Sequence, residues 1–449
     1  MVQAVLYQVV SQSATDSTDL NLKHSVIYSE QKTNESMTMK SNSFISCKTL
    51  SAVIFYLASI SFAASAQEHN DPRWITTWSS SPSTLPASDD NYEPLNDQTL
   101  RLIVHSSIGG SALRIRLANY HGDQPVNVGN VTIALQGDGS SIQSGTAFPL
   151  TFNGQESISI ASGAVVLSDP LAVEVPELTN LSLSIYLMGQ TGFLTAHALS
   201  NQINYISEQG NHTESINFPV QVETSAWSLL TAIDVINNES LTVIAAVGDS
   251  ITDGWGSTNS GNQRWPDHFA RRVFSDSSMP KFAIVNAGIS GNRVTTESNP
   301  QFGQNLQARF GRDVLALNKV AHIVLLEGIN DIGMSTMETG SPIPAFNIIN
   351  GYRNLIARAH ARGIKVYGST LTPFEGAVYY SEDGEVERQI VNDFIRNSGT
   401  FDGVIDFDAV VRDPENPKRI LPRFTEDNLH PNDIGYKAMA DAIDLNLFR

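Results

Sequence analysis

At 449 residues the chain is too long for one ordinary domain, and its 41% hydrophobic content is enough to bury real cores, so two domains are expected and a disordered chain is excluded. Acidic residues outnumber basic ones 46 to 28, and the resulting net charge of −18 repels phosphate backbones and anionic membrane surfaces. Nucleic acid is therefore excluded as a partner, and solubility is the ordinary reading of the charge.

The first local signal in chain order is the apolar run 50–64, preceded by Lys40 and Lys48 and closed by Ala64-Ser65-Ala66. The run is short for a bilayer span, and its small closing residues suit signal peptidase cleavage before Gln67. Residues 39–66 are thus expected to be a signal peptide, with the mature protein secreted or periplasmic and without stable membrane insertion. A membrane anchor is the alternative reading. Residues 1–38 are polar and patternless, and translation is expected to begin at Met37 or Met39. Cys47, the sole cysteine, would leave with the signal, so the mature chain is expected to have no disulfide and no thiolate nucleophile.

From 71 to 222 the chain reads as short alternating segments divided by turn residues, at 99–105, 112–118, 126–135, 164–167, 181–187 and 203–207. This periodicity predicts strands with one wet face, assembled into an antiparallel, jelly-roll-like β-sandwich. Residues 223–240 are apolar and contain Trp227, unlike a flexible tether, so they are expected to form a packed connector holding the halves in one orientation. From 241 onward the rhythm becomes strand, helix, strand. Strands are expected at 241–247, 282–286, 321–326, 364–370 and 404–407, and helices at 264–274, 305–318, 345–362, 385–397 and 433–448. Continuous apolar strands joined by helical crossovers imply a parallel sheet buried on both faces, with ligands at the carboxyl ends of the strands.

The residues at those ends are chemically suggestive as a set. The first strand ends in Gly248-Asp249-Ser250, where a serine on a tight turn before a helix has an exposed hydroxyl; alone, the motif fits a helix cap equally well. The second ends in a stretch containing Gly291, whose amide can donate to an oxyanion, and the third in Gly328-Ile329-Asn330-Asp331, where Asn330 offers a side-chain donor. Taken singly, a plain turn and a helix cap explain these two. Near the C-terminus Asp427 precedes His430 by three residues, a spacing that lets the carboxylate hold one ring nitrogen while the other faces a serine.

These four blocks, in this order, resemble those of the SGNH (GDSL-type) hydrolases over residues 240–449, although Ile251 stands where the family's older name has Leu. The resemblance implies a flavodoxin-like five-stranded sheet, Ser250 as nucleophile, and Asp427 with His430 completing a triad. It implies an oxyanion hole made by the Ser250 and Gly291 amides and the Asn330 side chain. The N-terminal half, through Trp74, Trp78 and 108–117 together with Trp255, Arg264 and Trp265, more weakly resembles a two-domain subgroup of arylesterases and carbohydrate acyl esterases. Trp255, Trp265 and Arg293 are the candidates to line an acyl or sugar pocket, packed loop residues being the alternative. No metal and no cofactor are expected, since His322 and His360 lack ligand spacing. The expected partner is a small-molecule or polysaccharide acyl ester, most simply acetyl; a lipase or lysophospholipase, an acyl transferase and a non-catalytic glycan-binding protein are the alternatives. Nothing in the sequence sets an oligomeric state.

Overall fold

A computed structural model of the chain describes residues 74–84, 94–239 and 241–449, so the expectations for 1–38 and for the signal peptide lie outside the described residues. The C-terminal region carries a five-stranded parallel sheet with strands β1 (Thr242–Gly248), β2 (Phe282–Gly288), β3 (Val320–Leu326), β4 (Lys365–Ser369) and β5 (Gly403–Ile405), in the order 2-1-3-4-5. This is the flavodoxin-like order, with a switch point where the connections reverse direction beside β1. β1 is buried from Val243 to Gly248, because helices or strands cover both of its faces and water solvates neither. Its register levels the carboxyl ends: Gly248 pairs with Gly288 of β2 and with Leu326 of β3. Whatever follows those three strands therefore emerges at one edge.

Local capping sets where the flanking helices begin. The helix Trp265–Ser275 has a proline in its first turn, and the Asp267 side chain accepts from the Arg264 amide at 3.1 Å. The helix Asp433–Ala442 starts where the Asn432 side chain accepts from the Ile434 and Gly435 amides. This last helix was expected to run to 448, but it ends at Ala442 and a 3-10 turn, Leu445–Phe448, closes the chain. A helix at Ile329–Thr339, absent from the sequence expectation, follows β3, because Gly328 takes φ = 131° and turns the chain directly into it.

The N-terminal region is antiparallel throughout its described strands. One sheet runs Trp74–Ser79, Leu230–Ile236, Ala112–Ala118, Val165–Leu167; the other is centred on Asn96–His105, Asn180–Gln190 and Val126–Leu135. A small third sheet joins Trp227–Ser228, Thr195–His197 and Ser83–Thr84. Two expectations differ from what is found. Residues 223–240 are no connector: Leu230–Ile236 is a central strand of the first sheet, pairing with both Trp74–Ser79 and Ala112–Ala118. Nor is the outer face of the second sheet simply wet. Arg101 is fully buried there, donating to Ser184 Oγ and to the carbonyls of Ser140 and Ser215, with its guanidinium 4.3 Å from the Phe218 ring centroid.

The described residues of both regions belong to one compact unit, and their apolar side chains form a continuous core. Strand Trp74–Ser79 packs on β2. Ser79 Oγ donates to the Asn286 carbonyl at 3.0 Å, Ser81 Oγ donates to Ala287 at 3.2 Å, and the Asn318 side chain donates to Asp234 at 2.7 Å. Among the described residues, no helix is long and apolar enough to cross a membrane.

Candidate active site

At the end of β1 a Cβ on Gly248 would stand 2.2 Å from the Leu326 carbonyl oxygen, so only glycine lets the chain turn here. Asp249 then caps the short helix Ser250–Asp253, its carboxylate accepting from the Ile251 amide at 3.0 Å. Ser250 is the first helical residue, a position whose amide has no intrahelical acceptor. Its hydroxyl lies 2.8 Å from His430 Nε2.

His430 stands on the turn before the helix Asp433–Ala442. Asp427 Oδ2 is 2.7 Å from its Nδ1, and Asp427 Oδ1 accepts from the Leu429 amide at 3.0 Å and the His430 amide at 2.8 Å. Burial pushes the Asp427 carboxyl up, but the hydrogen bond and charge of His430 and these two amides outweigh it and bring it down to about 2. A carboxyl held below its ordinary value contributes stability above that value and loses it only as pH falls through about 2, so Asp427 is ionised throughout the neutral range. A carboxylate at Nδ1 fixes the hydrogen there and leaves Nε2 free to accept from the serine hydroxyl.

The two remaining candidate donors are fixed by their neighbours. Gly291 takes φ = 79°, and a Cβ on it would strike the Phe302 ring at 2.4 Å. On one side Ser290 is bound to Asp253, its amide at 2.9 Å and its hydroxyl at 2.7 Å from Oδ2; Asp253 is three residues from Ser250 on the same helix. On the other side the Asn292 carbonyl accepts from Asn330 Nδ2 at 3.0 Å. Tyr379 donates to Asn330 Oδ1 at 3.3 Å, which fixes the amide's orientation and leaves its second N–H to donate elsewhere. The segments bearing Ser250, Gly291 and Asn330 are thus tied to one another in sequence: 250–253, 290–292, 330.

Beneath this surface lies a polar layer that the sequence reading missed. Arg309, fully buried, donates to Asn292 Oδ1 at 2.8 Å, to the Ala287 carbonyl at 2.8 Å, to the Gly248 carbonyl at 3.2 Å and to Ser81 Oγ at 3.0 Å. It joins the ends of β1 and β2 to the 290–292 segment and to the N-terminal region. Asp331 similarly accepts from the Val294 and Thr295 amides, at 2.8 and 2.9 Å. Asp249 and Glu327 sit close enough to repel. Burial first, then neighbouring Asp331, pushes Asp249 up to about 7, while burial and Asp249 push Glu327 well above the usual carboxylate range. One arginine in a helical pattern gives no sequence signal for any of this.

The three pocket candidates separate. Trp255 is 38% exposed with its ring centroid 6.3 Å from that of His430, so it borders the catalytic histidine candidate. Trp265 does not reach a cleft: it is fully buried at the start of its helix and packs in the apolar core, its ring centroid 5.7 Å from that of Phe407. Arg293 is 3% exposed and ion-paired to Glu338 at 2.5 Å, which leaves little of it for substrate. Among the described residues, no three His, Cys, Asp or Glu side chains are grouped to hold a metal.

Residues 246–438 match the GDSL-like Lipase/Acylhydrolase family. This part of the chain is a GDSL-type (SGNH) hydrolase domain, and the protein is a carboxylic ester hydrolase of that type. None of the curated proteins matches the chain. Among solved structures it is similar to a putative lipolytic protein of the G-D-S-L family from Desulfitobacterium hafniense, at 22% identity over 45% of this chain and 97% of that one, with a TM-score of 0.34. It is also similar to a carbohydrate acetylesterase family member from Sinorhizobium meliloti (18% identity, 45% and 94% covered, TM-score 0.35) and to an acetylxylan esterase from Geobacillus stearothermophilus (20%, 45% and 91%, 0.36).

Proposed function

We propose that the protein is an exported serine esterase that removes short acyl groups, acetyl above all, from carbohydrate through a Ser250–His430–Asp427 triad. The observation that carries this reading is the relay itself, with Ser250 Oγ 2.8 Å from His430 Nε2 and His430 Nδ1 2.7 Å from Asp427. In the proposed reaction Ser250 Oγ attacks the ester carbonyl carbon while His430 Nε2 takes its proton. The tetrahedral oxyanion is held by the Ser250 and Gly291 amides and by Asn330 Nδ2. Collapse breaks the bond to the alcohol, which leaves with the proton from His430, and an acyl group remains on Ser250. Water, deprotonated by His430, then attacks the acyl carbon, the bond to Ser250 Oγ breaks, and Oγ takes the proton back from His430 as the acid leaves.

The sugar preference rests on Trp255, a half-exposed indole beside His430, which offers the flat apolar face on which a pyranose stacks. Comparing p-nitrophenyl acetate with p-nitrophenyl decanoate tests the acyl part, with kcat/KM expected to be at least about tenfold higher for acetate. Preference for the decanoate would make the protein a lipase-type acylhydrolase instead. Export is checked by N-terminal sequencing of protein recovered outside the cytoplasm; a chain beginning at Gln67 is expected, and protein that stays inside uncleaved contradicts it.

A further inference from the structure

We propose that His197, contributed by the N-terminal β-region, is a positioning residue for the oxyanion pocket, acting through Asp253 on Ser290 and so on Gly291. The proposal rests on the serine-esterase reading of Ser250 given above. His197 ends the strand Thr195–His197 of the small sheet and is 3% exposed. Its Nδ1 lies 2.9 Å from the Ser81 carbonyl and its Nε2 lies 2.9 Å from Asp253 Oδ1. The Ser81 carbonyl only accepts, and so does Asp253 as a carboxylate, so both ring nitrogens are placed to donate, the pattern an imidazolium makes. Burial works against the charge, but the Asp253 carboxylate and the Ser81 carbonyl outweigh it and raise the group's pKa. The remaining cation nearby, Arg264, opposes it; its Nε is taken by the Asp253 carbonyl at 2.9 Å and one terminal nitrogen by the Ser200 carbonyl at 2.6 Å.

Asp253 divides its two oxygens between the two regions of the protein. Oδ1 faces His197; Oδ2 receives the Ser290 amide at 2.9 Å and the Ser290 hydroxyl at 2.7 Å. Ser290 immediately precedes Gly291, and Asp253 lies in the helix that begins at Ser250. The Gly291 amide is therefore tied through Ser290 to the Asp253 carboxylate, which stands on the helix that begins at Ser250 and is held from the opposite side by His197. The cavity beside this pair, lined by Trp78, His197, Trp227, Asp253 and Ile284, has a volume of about 40 Å³, room for water but not for a substrate. His197 thus reaches the reaction only through Asp253.

Replacing His197 by Gln keeps one donor and removes the charge, freeing Asp253 to rotate. An oxyanion donor is worth roughly 10²–10³ in kcat, and a misaimed one loses part of that, so His197→Gln should lower kcat for p-nitrophenyl acetate by about 10- to 100-fold per active site, with KM within about twofold. Active sites are counted by exhaustive labelling with a p-nitrophenyl alkylphosphonate, whose labelling rate should fall in parallel, and thermal midpoints are measured alongside. A purely structural role would lower the thermal midpoint or the number of sites while leaving turnover per site unchanged, and that result overturns the proposal. If His197→Gln does not fold, Ser290→Ala decides: it removes one of the two bonds to Asp253, and a several-fold fall in kcat per site is expected. Wild-type turnover per site in Ser290→Ala then overturns the proposal. Ser250→Ala in the same assay keeps the two readings apart: activity there sinks the esterase assignment, whereas an inactive Ser250→Ala beside a fully active His197→Gln sinks only the role of His197.

Discussion

Ser250→Ala is expected to leave the fold intact and to lower ester turnover by at least about three orders of magnitude, because the covalent route disappears while the oxyanion donors remain. The side chain is small and alanine favours the first helical position, so circular dichroism and the thermal midpoint should stay close to those of the parent. His430→Ala should do comparable harm, since Ser250 then has no base within hydrogen-bonding distance, the present separation being 2.8 Å. Asp427→Asn should be roughly tenfold milder than either, because Asp427 orients and stabilises His430 without touching substrate. Turnover of p-nitrophenyl acetate by the three purified variants checks the series, and near-normal turnover by Ser250→Ala would end the proposed mechanism.

The second large effect concerns the N-terminal β-region. A fragment of residues 240–449 is expected to be insoluble or to lose at least about 99% of activity on small ester and polymer alike, for two separable reasons. Energetically, the core is continuous across the boundary, and Trp74–Ser79 lies directly on β2. Exposing even two or three large apolar side chains costs about 3–9 kcal/mol, comparable with the whole net stability of a domain. Chemically, the cut removes Ser81, which accepts from the buried Arg309 at 3.0 Å, and His197, which faces Asp253 at 2.9 Å. Arg309 would keep its charge in the interior with one partner fewer. Expression of the fragment with activity assays on acetylated xylan and p-nitrophenyl acetate checks this. A soluble fragment with full activity on both would show that the β-region is an accessory.

What could be read in the sequence follows from what is local. The five parallel strands were legible because each is a short apolar run between turn residues, as in the buried segment 243–248 of β1. The shared edge at which the candidate residues emerge was legible for the same reason: a parallel sheet levels its carboxyl ends, here Gly248, Gly288 and Leu326. The helix Ile329–Thr339 was missed because its start depends on one glycine at φ = 131°, which leaves no mark on hydrophobic periodicity. Arg101 and Arg309 fall in a strand and a helix pattern that carry no mark of burial, and only the folded chain shows the carbonyls that surround them. The segment 223–240 looked like a connector because its position between two rhythms was visible, whereas its pairing with strands more than 100 residues away was not. Trp265 was misplaced because an aromatic residue suits a pocket or a core equally well, and only the folded chain shows it fully buried while Trp255 is exposed.

The central claim is that Ser250 carries the acyl group between the two half-reactions. Acid-quenching the enzyme during turnover of p-nitrophenyl acetate, followed by peptide mass spectrometry, measures this directly. One acetyl group is expected on the peptide containing Ser250, localised to that residue and absent in Ser250→Ala. An acetyl group on a different residue that turns over at the catalytic rate, or full hydrolysis by Ser250→Ala, would contradict it.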